Sequence, residues 1–279
     1  MSRSPLLLPA AACALVPFNS TMVAVALPAL QRDFAASTEQ VTAVVTAYLA
    51  AMLVAQPLAG RAVERVGAAS LLRGGLLAFF ACSLAATVSP SLAWLASARI
   101  GQACAAACAM TSGIALVRAW SPADRLGRNL GIVSAAIPLG ALLGPLVAGG
   151  LSLAGSWRLS FAANLALVPL LAVRLPPTGE RPLTTSERLP RIPPEAVPVL
   201  GAASAAMGLL NLTMYVLIIV LPLALQAAQG WSPLAVGASL AAVPLSSALA
   251  AVLGGRTVDR RSSRAVALTG ATLAGAGCA

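Results

Sequence analysis

The chain has 279 residues, of which 59% are apolar and 9% are charged, and its mean hydropathy is +0.89. Because a water-soluble domain needs far more polar surface than this, the composition indicates an integral membrane protein. The positive charge, +10 net, is all arginine, and the absence of histidine excludes imidazole catalysis and histidine-held zinc. The arginines lie in short gaps between apolar runs, so we interpret them as topology signals and expect no nucleic-acid partner.

Apolar runs divide the whole chain, and a membrane-spanning helix needs about 20 such residues. We predict spans at about residues 5–30, 41–60, 69–88, 92–117, 128–151, 158–175, 197–226 and 232–255, and a further one beginning at 265. The expected fold class is all-α and integral to the membrane. We predict an N-terminal six-helix bundle (1–175), a central cytoplasmic linker rich in proline and charge (176–196), and an incomplete second bundle of about three helices (197–279).

The arginines also predict the orientation of the spans. With a cytoplasmic N-terminus, all but three of the 18 arginines fall in cytoplasmic segments. The exceptions are Arg32 and Arg158 on the outer side and Arg99 within a span. This distribution follows the positive-inside rule, and the tryptophans lie near span ends, as an aromatic belt requires. We therefore predict a multi-pass protein of the plasma membrane with its N-terminus in the cytoplasm.

A charged pattern recurs at the cytoplasmic ends of two spans. GRAVER begins at Gly60 after the second span, and GRTVDR begins at Gly255 after the eighth. Two copies indicate a parallel repeat, which is a transporter architecture. The acid in each copy can pair with an arginine or cap a helix N-terminus, and this contact can break when the bundles move. A plainer interpretation is that the charged loops only fix topology. The predicted gating-loop residues are Gly60, Arg61, Glu64, Arg65, Gly67, Arg73, Gly255, Arg256, Asp259 and Arg260.

Further motifs lie within the spans. The first span contains NSTMVAVALP, beginning at Asn19, and the fourth contains ARIGQA around Arg99. The sixth opens with WRLSFAANLAL, and the seventh ends in LPLALQ before AAQGWSPLAVG. The fifth carries a spaced set made of Gly131, Gly140, Gly144, Pro145 and Gly149.

These stretches resemble motifs of the major facilitator superfamily and, within it, of drug:proton antiporters related to the fourteen-helix multidrug efflux group. GRAVERVGAA resembles G-x-x-x-D-R-x-G-R-[RK], with Glu64 in place of the aspartate and Ala68 and Ala69 in place of the basic pair. NSTMVAVALP resembles D-x-T-x-V-x-x-A-L-P, with Asn19 in place of the aspartate. ARIGQA is similar to R-x-x-Q-G, and WRLSFAAN to W-R-x-x-F-x-x-N. The fifth span resembles the antiporter pattern of glycines ending in G-P-x-x-G-G, with Ala148 for one glycine.

The resemblance implies two six-helix bundles around a central cavity and a transporter, not an enzyme. Its expected function is proton-coupled efflux of small lipophilic or monocationic compounds by alternating access, and the fifth-span motif favours efflux. By comparison with the family, the chain ends within its ninth span, so only the first bundle is complete. The alternatives are therefore a truncated, non-transporting fragment of such a transporter and a solute uptake carrier of the same superfamily.

Arg99 is the most informative single residue, because a guanidinium inside a span is costly and functional by default. Its expected partners are Gln102, one turn away, and Asn19 on the first span. The resemblance implies a part in proton transfer, whereas the structural alternative is that Arg99 only ties helices together. The predicted transport and coupling residues are Arg99, Gln102, Asn19, Thr21 and Asp33. Residues predicted to line the cavity, or else to bond helix to helix, are Gln56, Asn164, Asn211, Tyr215 and Gln226.

The acids all fall in loops or at span ends, whereas proton coupling usually uses a carboxylate deep in a span. We hypothesise that coupling runs through Asp33 and the loop acids, or that it is weak. The same pattern favours neutral or monocationic substrates over dications. We expect no cofactor and no metal, since the nearest cysteine pair, Cys104 and Cys108, forms no CxxC.

Overall fold

The computed structural model describes residues 4–152, 156–172 and 233–260, with single positions between 194 and 209 and at 270 and 272. The linker 176–196 and the predicted spans at 197–226 and from 265 lie almost wholly outside the described residues, as do the candidates Asn211, Tyr215 and Gln226. The chain divides into two compact units, one of residues 1–182 with 247–279 and the other of residues 183–246.

All regular secondary structure among the described residues is helical, which confirms the all-α class. The helices are α1 (Ser4–Asp33), α2 (Thr38–Val66), α3 (Ala68–Thr87), α4 (Leu92–Trp120), α5 (Leu126–Ser152), α6 (Arg158–Ala172) and α7 (Pro233–Arg260), and a 3-10 turn at Ala123–Arg125 precedes α5. The helix α7 corresponds to the eighth predicted span. Within the described part of the chain, the segments of α1 to α5 are long and apolar enough to cross a membrane.

The boundaries of α2 have local causes. At its start, the Ser37 hydroxyl accepts a hydrogen bond from the Gln40 N–H, and the Gln40 side chain accepts one from the Ser37 N–H. This capping box satisfies two donors that a helix N-terminus leaves free. At its end, Gly67 has a φ of 87°, a conformation that costs glycine little, and its N–H donates to the Val63 carbonyl.

The helical course of α2 corrects one prediction. The GRAVER residues Gly60 to Arg65 form its last turns instead of a loop, and Arg73 lies in α3, so Gly67 alone separates the two helices. GRTVDR likewise lies inside α7. A single glycine costs a helix only about 1 kcal/mol, so Gly60 does not stop α2, and the helix continues until the next glycine.

The helix α4 lies at the centre of the described bundle. It packs against α1, α2, α3 and α5, while α6 packs against α1 and α3. Small side chains let backbones approach closely in lipid, where there is no hydrophobic force between helices. The fully or almost fully buried alanines of α4 are Ala103, Ala105, Ala106, Ala107 and Ala109.

Candidate functional site: buried polar contacts and the start of α5

Arg99 is completely buried among helices α2, α3 and α4. Its Nη1 donates to Gln102 Oε1 at 2.9 Å, as the sequence predicts. Gln102 Nε2 in turn donates to Ser83 Oγ of α3 at 2.8 Å, and Ser83 Oγ donates to the Phe79 carbonyl at 2.7 Å. A polar chain therefore runs from α4 into α3, in which each group supports the orientation of the next.

The guanidinium of Arg99 lies over an aromatic ring. Its guanidinium carbon lies 3.9 Å from the centroid of the Tyr48 ring on α2, and Tyr48 is buried too. Neither ion pair found among the described residues includes Arg99. A desolvated cation–π contact gives ~2 kcal/mol or more, against an insertion cost for arginine of about 2.5–3.5 kcal/mol. The ring contact therefore offsets much of the insertion cost without a carboxylate.

Two polar atoms beside this contact have no hydrogen-bond partner among the described residues. They are Arg99 Nε and the Tyr48 hydroxyl, and both are buried. Buried donors of this kind are costly in a protein interior. Both atoms lie between α2 and α4, beside the fixed positive charge of Arg99. This region therefore contains polar groups that could still form hydrogen bonds.

Asn19 has a different partner from the expected one. The structure pairs it with Asn164 of α6, whose Nδ2 donates to Asn19 Oδ1 at 2.9 Å, and not with Arg99. Both asparagines are at most 1% exposed. Asn19 Nδ2 and Asn164 Oδ1 have no partner among the described residues. Asn164 thus forms the helix-to-helix hydrogen bond that was one of its two predicted roles.

The glycines of α5 pack against two different helices, α1 and α7. A Cβ at Gly140 would overlap the backbone of Ala14, and one at Gly144 would overlap the Thr21 hydroxyl, so both glycines pack against α1. Thr21 turns that hydroxyl back onto carbonyls of its own helix. A Cβ at Gly131 would lie 2.5 Å from the Ala251 carbonyl of α7. Of these three, only Gly131 therefore faces the second sequence repeat.

The start of α5 is capped by an acid from α7. Asp259 Oδ1 accepts the Gly127 N–H and Oδ2 accepts the Arg128 N–H, each at 2.7 Å. A carboxylate satisfies free N–H groups at a helix N-terminus and matches its positive dipole. A Cβ at Gly255 would overlap the Gly127 backbone, so this glycine allows the two helices to touch. The predicted helix-capping role of the acid is thus observed for Asp259.

The equivalent end of α2 has no such neighbour among the described residues. A Cβ at Gly60 would meet no atom within 4 Å, and Glu64 takes part in no ion pair there. Gln56 is exposed on α2. No metal-binding group of three or more candidate ligands occurs in the described residues.

Asp33 lies at the far end of α1, well away from the middle of that helix. Its Oδ2 accepts hydrogen bonds from Trp157 Nε1 and Arg158 Nη1. No motif in the sequence indicates this cluster, and none indicates Tyr48 and Ser83 as partners of the polar chain that begins at Arg99. The tryptophan and arginine at the start of α6 were visible as WR, but only the fold brings them to Asp33.

The comparisons with known proteins agree with this architecture. A family model described as Major Facilitator Superfamily matches residues 10–279. The chain belongs to this superfamily. A crystal structure of a D-xylose–proton symporter shares the superfamily fold with a TM-score of 0.63 and 17% identity, over 92% of this chain and 69% of that one. The superfamily part of the resemblance and the expected partial major facilitator fold are confirmed.

Three curated relatives are similar to part of this chain. The chain is 37% identical to the uncharacterised transporter YvkA of Bacillus subtilis, over 58% of this chain and 36% of YvkA. It is 28% identical to the riboflavin transporter RibZ of Clostridioides difficile, over 53% of this chain and 33% of RibZ. It is 33% identical to the lincomycin resistance protein of Streptomyces lincolnensis, over 57% of this chain and 33% of that protein. The matched region spans about a third of each relative.

Proposed function

We propose that this chain is part of a plasma-membrane transporter, with a cytoplasmic N-terminus, that exports small lipophilic compounds by alternating access in exchange for protons. One observation carries the proposal, namely the double hydrogen bond from the start of α5 to Asp259. The helix α5 belongs to the first sequence repeat and α7 to the second. A polar contact between repeats that can open and close is what a transporter gate needs.

The chemistry of this contact suits a gate. Each hydrogen bond is short, but it lies at a helix end where water can replace it. A hydrogen bond exchanged for water in this way contributes only about 0.5–1.5 kcal/mol net, with more for a charged acceptor. The glycines Gly127, Gly131 and Gly255 bring the backbones together without interlocking side chains. The two helices can therefore separate without a large barrier.

The repeat extends the proposal to α2. Glu64 and Gly60 occupy the same motif positions as Asp259 and Gly255. We infer that Glu64 caps a helix N-terminus of the second repeat at the same, cytoplasmic side, and that the two caps open together.

The substrate class follows from the charges. No acid lies in the middle of a described span, and Asn19 cannot ionise. A neutral compound or a lipophilic monocation fits such a site better than a dication. The name of the lincomycin relative supports drug export, while that of RibZ shows that a relative of similar identity is a riboflavin transporter. The acids available for coupling are Asp33 and those near the helix ends.

A second candidate function is a non-transporting fragment. It is favoured by the observation that each of the three curated relatives is matched over only about a third of its own length. Transport into everted membrane vesicles that contain this chain distinguishes the two candidates. The vesicles have an acidic interior and receive ethidium from outside. The transporter proposal expects ethidium accumulation inside the vesicles that is lost in Asp259→Ala. Asp124→Ala is the matched control, because Asp124 lies beside the start of α5 and, among the described residues, pairs with Arg125 alone.

The outcomes have distinct meanings. Accumulation only in right-side-out vesicles would indicate an uptake carrier. No accumulation in either orientation, with the protein correctly inserted, would refute transport by this chain and support the fragment. Equal loss in Asp259→Ala and Asp124→Ala would refute the gate.

A further inference from the structure

Four residues join three helix ends at the predicted outer side of the bundle. Asp33 Oδ2, at the end of α1, accepts Trp157 Nε1 at 2.6 Å and Arg158 Nη1 at 3.3 Å. Arg158 Nη2 donates to the Ser89 carbonyl just after α3 at 3.1 Å. The guanidinium of Arg158 also lies 4.4 Å from the centroid of the Trp157 ring. We call Asp33, Ser89, Trp157 and Arg158 the outer clasp.

The clasp is anchored in the core through its tryptophan. Trp157 is only 4% exposed, and its ring contacts those of Phe34 and Phe161 at centroid distances of 5.7 and 5.9 Å. A buried indole N–H requires an acceptor, and Asp33 is the acceptor that the fold provides. A single carboxylate oxygen thus satisfies the indole and pairs with the arginine.

Arg158 completes the connection to α3. A carbonyl after the end of a helix has no partner within that helix, and cationic side chains are favourable there. Because one guanidinium reaches Ser89 and Asp33 together, the ends of α1 and α3 are held at a fixed separation by the start of α6. We call this restraint on the helix ends the brace. Within it, Asp33 Oδ2 and Trp157 Nε1 are both hydrogen-bonded.

We propose that the outer clasp holds α1, α3 and α6 together as one body, and that Asp33 acts there as a positioning residue and not as the acid that couples transport to protons. The role given to Asp33 rests on the proposed transport function, whereas the joining of α1, α3 and α6 does not. This role removes Asp33 from the acids considered for coupling, because its carboxylate serves as a fixed acceptor for two donors.

Thermal unfolding of the purified full chain tests the brace. Trp157→Phe keeps an aromatic ring at this position but removes the indole N–H together with part of a buried side chain, and Asp33→Ala removes the acceptor. We expect each to lower Tm by about 2–4 °C, the shift typical of ~1 kcal/mol in a chain of this size class. The double variant should lose less stability than the sum of the two single variants, since both changes break the same hydrogen bond. Fully additive losses, or no loss in Trp157→Phe, would overturn the brace.

The chain offers a matched control inside the clasp. The Ser89 hydroxyl is buried without a partner among the described residues, while its carbonyl accepts from Arg158. Ser89→Ala keeps the carbonyl and removes an unsatisfied group, so Tm should stay the same or rise. A fall as large as that of Trp157→Phe would show general sensitivity of this region and overturn the assignment.

The role of Asp33 is tested by pH-driven ethidium accumulation in everted vesicles. In the Asp33→Asn variant the side-chain amide oxygen still accepts from the indole, so the brace persists without an ionisable group. We expect accumulation within about twofold of the wild type, a difference of roughly 0.4 kcal/mol. Loss of accumulation with an unchanged Tm would make Asp33 a coupling acid and refute the proposal. Absence of transport in the wild type would count against the proposed function alone, and the Tm series would still decide the brace.

Discussion

Replacement of Asp259 by alanine gives the sharpest test of the contact between α5 and α7. The change removes both acceptors, each 2.7 Å from a backbone nitrogen of α5. Loss of a helix cap costs about 0.5–2 kcal/mol, and loss of the charge near the helix dipole adds about 0.3–1 kcal/mol. A net loss of about 1–2 kcal/mol lowers the docked-to-undocked ratio by about 5–30-fold.

Hydrogen exchange at the start of α5 measures this ratio directly. In Asp259→Ala, the amides of Gly127 and Arg128 should exchange about 5–30-fold faster than in the wild type. Asp259→Asn keeps one acceptor oxygen and replaces the other by an amide NH2, so exchange should accelerate at only one of these two amides. Asp124→Ala is the control for loss of charge near the same helix end. Unchanged exchange in Asp259→Ala, or equal acceleration in Asp124→Ala, would refute the capping argument.

Three further predictions concern the packing and the buried polar groups. Gly131→Val should lower the free energy of unfolding by about 1–3 kcal/mol, because the new side chain overlaps α7. Gly150→Val is the control and should not lower it, since no atom lies within 4 Å of the Cβ position. Equal Tm values for the two variants would contradict the close approach of α5 and α7. Arg99→Met should leave Tm unchanged or raise it, since the buried charge has no carboxylate partner among the described residues. The same variant should reduce ethidium accumulation about tenfold or more, which corresponds to a rise of ~1.4 kcal/mol in the transport barrier. A lower Tm with intact transport would make Arg99 purely structural. A double-mutant cycle of Asn19→Ala and Asn164→Ala should give a coupling of about 0.6 kcal/mol in thermal unfolding, and additive effects would deny their hydrogen bond.

The course of the helices was largely predictable from the sequence. The fourth span, predicted at 92–117, is α4 from Leu92 to Trp120, and the fifth, predicted at 128–151, is α5 from Leu126 to Ser152. Such agreement follows because the thickness of the bilayer sets the length of an apolar run. The ends were less predictable, since GRAVER looks like a loop by charge yet continues α2 until Gly67. Charge alone does not end a helix, whereas a glycine with positive φ does.

The partners of the polar residues were only partly predictable. The bond from Arg99 to Gln102 follows from their spacing of one helical turn, which needs no tertiary information. The contact of Arg99 with Tyr48 and the pairing of Asn19 with Asn164 join residues on different helices. The helices are apolar on nearly all sides, so no polar face reveals how each is rotated in the bundle. Partners on other helices therefore remained open.

The sequence by itself determined the class of the protein, the order of its first six helices, and the superfamily. These features depend on apolar length and local motifs, which are properties of consecutive residues. Only the tertiary structure decided that Asp259 caps α5, that Gly140 and Gly144 pack on α1 while Gly131 faces α7, and that Asp33 belongs to the outer clasp. These contacts depend on the rotation and close approach of helices, which backbone overlap at the glycines and the pairing of buried polar atoms set together.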